Sequence, residues 1–332
     1  MQASNQALRP SWRELSERVH VVRLPLAERF RGLDYREALL FRGPNGWAEF
    51  SPFHDYVDEE AVNWLAAAVE FAFAARPAFD EHPHERIRVN ATVPDVAAER
   101  VPAVLAGFPG CRTVKVKVAG TSSPLERDVE RVAAVRALLG PDGRIRLDAN
   151  GAWSVAGAER AIRRLAVFDL EYVEQPCASV AELAELRARI ADLGIEIAAD
   201  ESVRRAEDPL AVAAAGAADR LVLKAAPLGG FSRAREVSVG AGLPVTVSSA
   251  METSVGLALG AMLAASLPQS DAGLGTAALL AADVTHAPLS VRDGTIEVRR
   301  VSPDADLLER WAADADTERF WRARFERCFE LL

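Results

Sequence analysis

The sequence predicts an α/β fold, a modified TIM barrel of the (β/α)7β kind with an α+β capping domain, and three observations predict it. First, from residue 87 onward short apolar runs alternate with Ala/Leu/Arg-rich helical stretches, one unit about every 25 residues. Second, those runs are nearly continuous in apolar residues, as strands of a parallel sheet buried on both faces are. Third, a charged residue ends one run after another. Asp148, Glu174, Asp200 and Lys224 follow each other at gaps of 26, 26 and 24 residues, and Lys117 ends the run before them.

Residues 1–86 read as the N-terminal part of the capping domain. VHVVRLPL, YREALLFRG and GWAEFSPF form a strand meander punctuated by Gly-Leu-Asp and Gly-Pro-Asn-Gly turns. Residues 58–75 have helical periodicity and an acidic first turn. Residues 87–286 read as the barrel. IRVNATV is its first strand, followed by a helix through DVAAERVPAVLAGF. TVKVKV is the second, and its helix is expected to open with Ser123 at the N-cap, Pro124 at N1 and Glu126 at N3. RIRLDA is the third, with Ser154 capping the helix after it. EYVEQ, IEIAA, RLVLK and LPVTVSS continue the series. After a helix at 253–267, AGLGTAALL reads as a last, irregular barrel element. Residues 287–332 return to the capping domain. LSVRDGTIEVRR is expected to form a hairpin closed by Asp293-Gly294, and two amphipathic helices end the chain.

Composition narrows the function. The 332-residue chain carries a net charge of −9, with no basic stripe to neutralise phosphates, which argues against a nucleic-acid partner. Cys111, Cys177 and Cys328 lack metal-ligand spacing and suit a reducing cytosol. The N-terminus is polar, and no apolar run approaches the roughly 20 residues that span a bilayer, so a cytoplasmic protein without a membrane partner is expected. Oligomeric state is left open.

Charged groups at the ends of successive barrel strands converge on one mouth. Asp148, Glu174 and Asp200 would there offer oxygen ligands to a hard divalent cation, Mg²⁺ with Mn²⁺ as a substitute. No His or Cys stands nearby to suit zinc. Taken singly, each acid could equally cap a helix or pair with an arginine. The period of two in TVKVKV puts Lys115 and Lys117 on one face. Pointing inward they must meet charge; on an edge strand they would be solvated. Lys224 lies across the barrel, where a second lysine and a metal would depress its pKa toward a base's range. Arg146 shares a strand face with Asp148 and could anchor a substrate carboxylate or pair with Asp148 or Glu174. Ser248, Ser249, Met251 and Glu252 open a helix, either as an anion site or as ordinary caps. Gly273, Gly275 and Thr276 could serve the same end. His82 and His84 read as a solvated loop, and the tryptophans, Trp153 included, as packing. Gly229-Gly230 lacks a phosphate-loop pattern.

At these residues the chain resembles the enolase superfamily, and more closely its muconate-lactonizing subgroup. That subgroup's K-x-K, D-A-N, E-Q-P and D-E-S motifs and sixth-strand lysine stand here as Lys115-Val116-Lys117, Asp148-Ala149-Asn150, Glu174-Gln175-Pro176, Asp200-Glu201-Ser202 and Lys224. The resemblance implies that Asp148, Glu174 and Asp200 bind Mg²⁺ and that Lys117 is the acid/base. It implies that Lys224 faces Lys117 across a small carboxylate substrate and that Lys115 tunes the pKa of Lys117. Asn150 would stand among the substrate-side residues. The loop at Phe30, Arg31 and Gly32 would be the mobile substrate-capping loop. Short length, the Arg146–Trp153 stretch and Ser248–Ser254 resemble the branch that dehydrates a succinyl-hydroxycyclohexadiene carboxylate in menaquinone synthesis. Leu-Lys-Ala-Ala-Pro around Lys224 departs from the commoner surroundings. N-acylamino acid racemases and dipeptide epimerases are the alternative users of such a site. Gly-Leu-Gly-Thr after the last strand, in place of a paired-acid motif, counts against a dipeptide epimerase. A catalytically silent scaffold has little support, because all five charged positions are filled.

Overall fold

The computed structural model describes residues 10–30, 32–74, 85–120, 124–268 and 270–332. The capping sheet is an antiparallel meander, β1 (Val19–Phe30), β2 (Leu33–Gly43) and β3 (Gly46–Phe50). Helix Asp58–Phe73 lays Trp64, Leu65, Ala68 and Phe71 into its core. The chain's last helix, Ala315–Leu331, is capped by Asp314, whose side chain accepts from Thr317 N at 2.8 Å. It returns to this sheet: Trp321 meets Phe50 edge-on at 5.9 Å, and Phe325 lies 5.5 Å from Phe41. Large aromatic faces removed from water account for the docking of the tail, at roughly 2–3 kcal/mol for each fully buried ring.

Seven parallel strands form the curled second sheet in the order β11-β10-β9-β8-β7-β6-β5. They are β5 (Ala91–Val93), β6 (Thr113–Lys117), β7 (Arg144–Asp148), β8 (Leu170–Glu174), β9 (Glu196–Ala199), β10 (Arg220–Leu223) and β11 (Val245–Val247). An eighth element closes the ring. Gly273 N donates to Val247 O at 2.8 Å, Ala272 N to Arg88 O at 2.9 Å and Asn90 N to Ala272 O at 2.9 Å. The irregular last barrel element expected at AGLGTAALL is therefore Ala272-Gly273, with a 3-10 helix following at Gly275–Leu279. On β7, Ile145 and Leu147 pack toward the helices while Arg146 and Asp148 point into the barrel, as the period of two requires.

Three sequence expectations are corrected. IRVNATV is two strands: β4 (Arg86–Arg88) pairs antiparallel with β12 (Thr295–Glu297) and meets the ring only at its end, Arg88, while β5 pairs with β6. The Asp293-Gly294 turn is present, with both residues at positive φ (50° and 70°). Its outgoing strand, however, pairs with β4, and the hairpin shrinks to one bridge, Arg292 to Thr295. The backbone before the barrel needs partners, and the tail supplies them: Val89 N donates to Gly294 O at 2.9 Å. Pro124 is the N-cap of helix Leu125–Leu139 rather than N1, since its ψ of 153° is extended. Ser123, His82 and His84 lie outside the described residues. Ser154 does cap its helix, accepting from Gly157 N at 3.3 Å.

Candidate active site

Strand register assembles the site. Lys117 on β6 pairs with Asp148 on β7, and Asp148 with Glu174 on β8, so three charged side chains stand level at neighbouring strand ends. Asp200 follows β9, and Lys224 follows β10. β6 and β10 are the second and sixth of eight elements, so Lys117 and Lys224 face each other from opposite walls. Lys117 Nζ donates to Asp148 Oδ2 at 2.6 Å and to Asn150 Oδ1 at 2.7 Å. Lys224 Nζ donates to Asp200 Oδ2 at 2.6 Å. Lys115 Nζ lies 3.0 Å from Glu174 Oε1 and 3.1 Å from Asp148 Oδ2.

Burial and charge then pull these groups apart. Burial works against the Lys115 ammonium, but Glu174 and Asp148 outweigh it and hold its pKa well above the ordinary lysine value. Lys115 therefore stays a cation. Lys224 is shifted down, by burial first, opposed by Asp200 and aided by the Arg204 guanidinium. Asp148 is held low because Lys117 and Lys115 outweigh its burial. Burial, then the charge of Asp148, pushes Glu174 up to about 7; burial, then Glu201, pushes Asp200 up to about 6.

Backbone and side-chain bonds fix the acids. Asn150 and Gln175, the residues just past β7 and β8, hold positive φ (48° and 39°), costly conformations that persist where the surroundings impose them. Gln175 Oε1 accepts from Asp200 N at 3.0 Å and Ser202 N at 3.2 Å, which ties the ends of β8 and β9 together. Arg204 Nε donates to Asp200 Oδ1 at 2.9 Å. Gln175 and Arg204 were not singled out in the sequence; the motif residues Glu174-Gln175-Pro176 carried the signal for the first.

A cavity lies over these groups, with about 550 Å³ of empty space that includes its opening to solvent. Lys115, Lys117, Asn150 and Lys224 line it from the barrel, with Ser248, Ser249 and Met251 beside them. Phe53, Tyr56 and Trp64 close it from the capping domain. Trp64 is thus part of the wall and not only packing; its ring meets that of Tyr56 at 4.8 Å. Neither Trp64 Nε1 nor Tyr56 Oη has a hydrogen-bond partner among the described residues.

Other expected contacts move. Arg146 does not line the cavity and pairs with neither Asp148 nor Glu174. It sits one inward layer deeper, fully buried, donating to Glu171 Oε2 (2.6 Å), Asn90 Oδ1 (2.9 Å) and the Asp271 carbonyl (2.6 Å). Two residues along a strand are a full layer of a barrel interior, and that distance separates it from the mouth. Gly275 also leaves the list of substrate contacts: a Cβ there would meet Asn90 O at 2.9 Å and the Phe108 ring at 3.2 Å, so it is a close-packing glycine. Gly273 and Thr276 line the cavity instead, and Thr276 Oγ1 lies 2.7 Å from Ser249 Oγ. Ser248–Glu252, expected to open a helix as an anion site or as caps, precede it instead: the helix begins at Ser254 with Thr253 as N-cap. Its N-terminus is filled by the Glu49 carboxylate, which accepts from Thr253 N (3.0 Å) and Gly256 N (3.2 Å). Arg31 lies outside the described residues.

The acids fit a hard divalent ion by donor chemistry: oxygen only, three adjacent strand ends, each side chain about 1% exposed or less. Among the described residues no three acidic, His or Cys side chains are already drawn together as a ligand set. The three lysines stand against them.

The fold and this constellation define a barrel enzyme with buried acids and facing lysines at the barrel's mouth. The chain belongs to the enolase superfamily: the model described as "Enolase C-terminal domain-like" matches residues 74–303, and "Enolase N-terminal domain-like" matches residues 21–72. Enzymes of this superfamily use a divalent metal. Among curated relatives, proteins named o-succinylbenzoate synthase from Mycobacterium tuberculosis (strain ATCC 25618 / H37Rv) and Mycobacterium marinum (strain ATCC BAA-535 / M) are each 48% identical to it. The first alignment covers 97% of both chains, the second 96% of this chain and 95% of the relative. Among solved structures, 2-chloromuconate cycloisomerase from Rhodococcus opacus 1CP superposes with a TM-score of 0.77 at 23% identity, covering 90% of this chain and 98% of that one. Muconate lactonizing enzyme from Pseudomonas fluorescens gives 0.75 at 20% identity, over 89% and 98%. At those identities the likeness is one of fold. Among the described residues no helix is long and apolar enough to cross a membrane.

Proposed function

We propose that this protein is an o-succinylbenzoate synthase, dehydrating 2-succinyl-6-hydroxy-2,4-cyclohexadiene-1-carboxylate to 2-succinylbenzoate for menaquinone synthesis. The observation that carries the reading is the level row Lys117–Asp148–Glu174 with Lys224 on the opposite wall. The name of the relatives that align over nearly the whole chain supports the choice of substrate.

Asp148, Glu174 and Asp200 would hold Mg²⁺, with Mn²⁺ as a substitute, and the ion would supply positive charge for the substrate's ring carboxylate. The hydrogen beside a carboxylate is very weakly acidic, so charge stabilisation is the larger demand. Lys117, as the neutral amine, takes that hydrogen and becomes the ammonium. The negative charge left on the substrate spreads into its carboxylate as an enediolate. The C–O bond to the ring hydroxyl then breaks, and Lys117 returns its proton to the leaving oxygen, which departs as water. The ring becomes aromatic, and Lys117 is neutral again. Asn150 Oδ1 holds Lys117 in place. Lys115, kept cationic between Glu174 and Asp148, adds fixed positive charge beside Lys117. Lys224 stabilises the enediolate from the other face. The cap residues Phe53, Tyr56 and Trp64 keep water from it. The site lies in the cytoplasm and takes a small carboxylate, not nucleic acid.

The same two facing lysines could serve a racemase of N-acylamino acids, with each lysine a base on its own face. Parallel assays separate the readings: turnover of the cyclohexadiene carboxylate followed by ultraviolet absorbance, and racemisation of optically pure N-succinyl amino acids followed by polarimetry. Dehydration at least about a hundredfold more efficient than racemisation supports the synthase. The reverse ranking overturns it.

A further inference from the structure

We infer that Arg36 and Glu49 are positioning residues for the proposed reaction: from the capping sheet they fix the backbone of residues 250–253, and through it the wall that Ser249 and Met251 present to substrate. The inference rests on that reaction only for its kinetic test.

Arg36 on β2 and Glu49 on β3 are both buried, and both reach out of their own sheet. Arg36 donates from Nε to Met251 O at 3.1 Å and from Nη2 to Ala250 O at 3.3 Å, and its other contacts, Glu37 O and Ser51 O, anchor it in the cap. Its guanidinium lies over the ring of Phe53, itself a cavity residue, 4.3 Å from the centroid. Glu49 takes the donors on the other side of the segment. Oε2 accepts from Thr253 Oγ1 (2.6 Å), Thr253 N (3.0 Å) and Gly256 N (3.2 Å), while Ser51 Oγ donates to Oε1 at 2.6 Å. One cap residue therefore binds the carbonyls of the segment and another its N–H groups.

The segment needs such a clamp. Met251 holds φ at 65°, which a side chain with a Cβ adopts at a cost. Ala250 N is turned inward to Glu252 Oε2 at 2.8 Å. The molecule also gives up space for the contact: a Cβ on Gly256 would lie 2.9 Å from the Glu49 carboxylate and 2.8 Å from Glu252 Cβ. Glu49 and Glu252 are two buried carboxylates, and the charge of Arg36 favours the ionised form of both. Burial, with the charge of Glu252 added, pushes Glu49 up to about 7 despite the donors around it. A buried arrangement with this much desolvation serves placement better than stability.

Three variants test this. Glu49→Gln keeps shape but offers the segment one acceptor fewer. Arg36→Lys keeps charge without the fork. Gly256→Ala displaces the carboxylate and deletes no charge. Each is expected to raise KM for the cyclohexadiene carboxylate roughly tenfold with kcat within about twofold. In the same proteins, hydrogen exchange at residues 250–256 is expected to run roughly tenfold faster while strands β6–β8 keep their protection. An active parent whose three variants keep the parental KM overturns the inference, as do unchanged exchange rates in any case. An inactive parent overturns the proposed reaction instead, and the exchange data then decide the positioning role alone.

Discussion

Lys117 Nζ lies 2.6 Å from Asp148 Oδ2, and the two residues are direct register partners on adjacent parallel strands. The pairing is a product of strand geometry, since both are the last residue of their strand and both side chains point inward. It holds the proposed base beside a proposed metal ligand before any substrate arrives. Lys117→Ala is expected to lower kcat by about 10²–10⁴-fold, the range for loss of a general acid/base, with an unchanged circular dichroism spectrum. Asn150→Ala, which removes an acceptor of the ammonium together with the Asn150–Glu201 bond, is expected to cost about tenfold.

Lys224 differs from Lys117 in its task. It faces Asp200 at 2.6 Å, and its pKa is shifted down. If its charge is what matters, Lys224→Ala loses about 10²–10³-fold in kcat and Lys224→Arg recovers a measurable part of that. Exchange of the substrate's hydrogen with deuterated solvent separates the roles. One-sided exchange that survives in Lys224→Arg marks a stabiliser; loss of exchange on one face only marks a second base.

Arg146 belongs to the barrel's interior. With Glu171, Asn90 and the Asp271 carbonyl as partners, Arg146→Met is expected to lower stability by roughly 3 kcal/mol, since it strands their polar groups, and to leave KM within about twofold. Thermal melting and steady-state kinetics on one preparation check both. A large rise in KM without a lower melting temperature would return Arg146 to the substrate.

Glu49 gives a pH signature. Burial pushes its folded pKa up to about 7, above the ordinary glutamate value of 4.5, so the fold favours the neutral form. The stability it contributes is complete below the unfolded pKa and is lost as pH rises through about 7, roughly 3 kcal/mol over the window. Melting temperatures of the parent and of Glu49→Gln, taken from pH 5 to pH 8, are expected to converge or cross as the parent loses more than the variant. Parallel curves would contradict this.

Much of the barrel was legible in the sequence because its strands are apolar runs punctuated by charge, and because a parallel strand end is a fixed place in space. The strand-end places of Asp148, Glu174, Asp200, Lys117 and Lys224 could be read from the apolar runs they close. What was not legible depended on contacts between distant parts of the chain. Glu49 fills the helix N-terminus after β11 from about 200 residues away, so from the sequence Ser248–Glu252 read either as an anion site or as caps. Trp64 read as packing, because helical periodicity marks a buried face without telling a cavity wall from packing. Arg146 read as a mouth residue, because the sequence gives the face of a strand but not the depth. IRVNATV read as one strand, because nothing local says that its first half pairs with the tail.

Metal-dependent dehydration run by Lys117 can be followed in a single assay. Purified protein is given the succinyl-hydroxycyclohexadiene carboxylate with Mg²⁺, then with EDTA, beside Lys117→Ala, and absorbance is followed in the ultraviolet. The account predicts fast conversion with Mg²⁺, loss of conversion in EDTA that is restored by added Mg²⁺, and almost none in the variant. Full conversion by Lys117→Ala, or conversion by the parent untouched by EDTA, would contradict it.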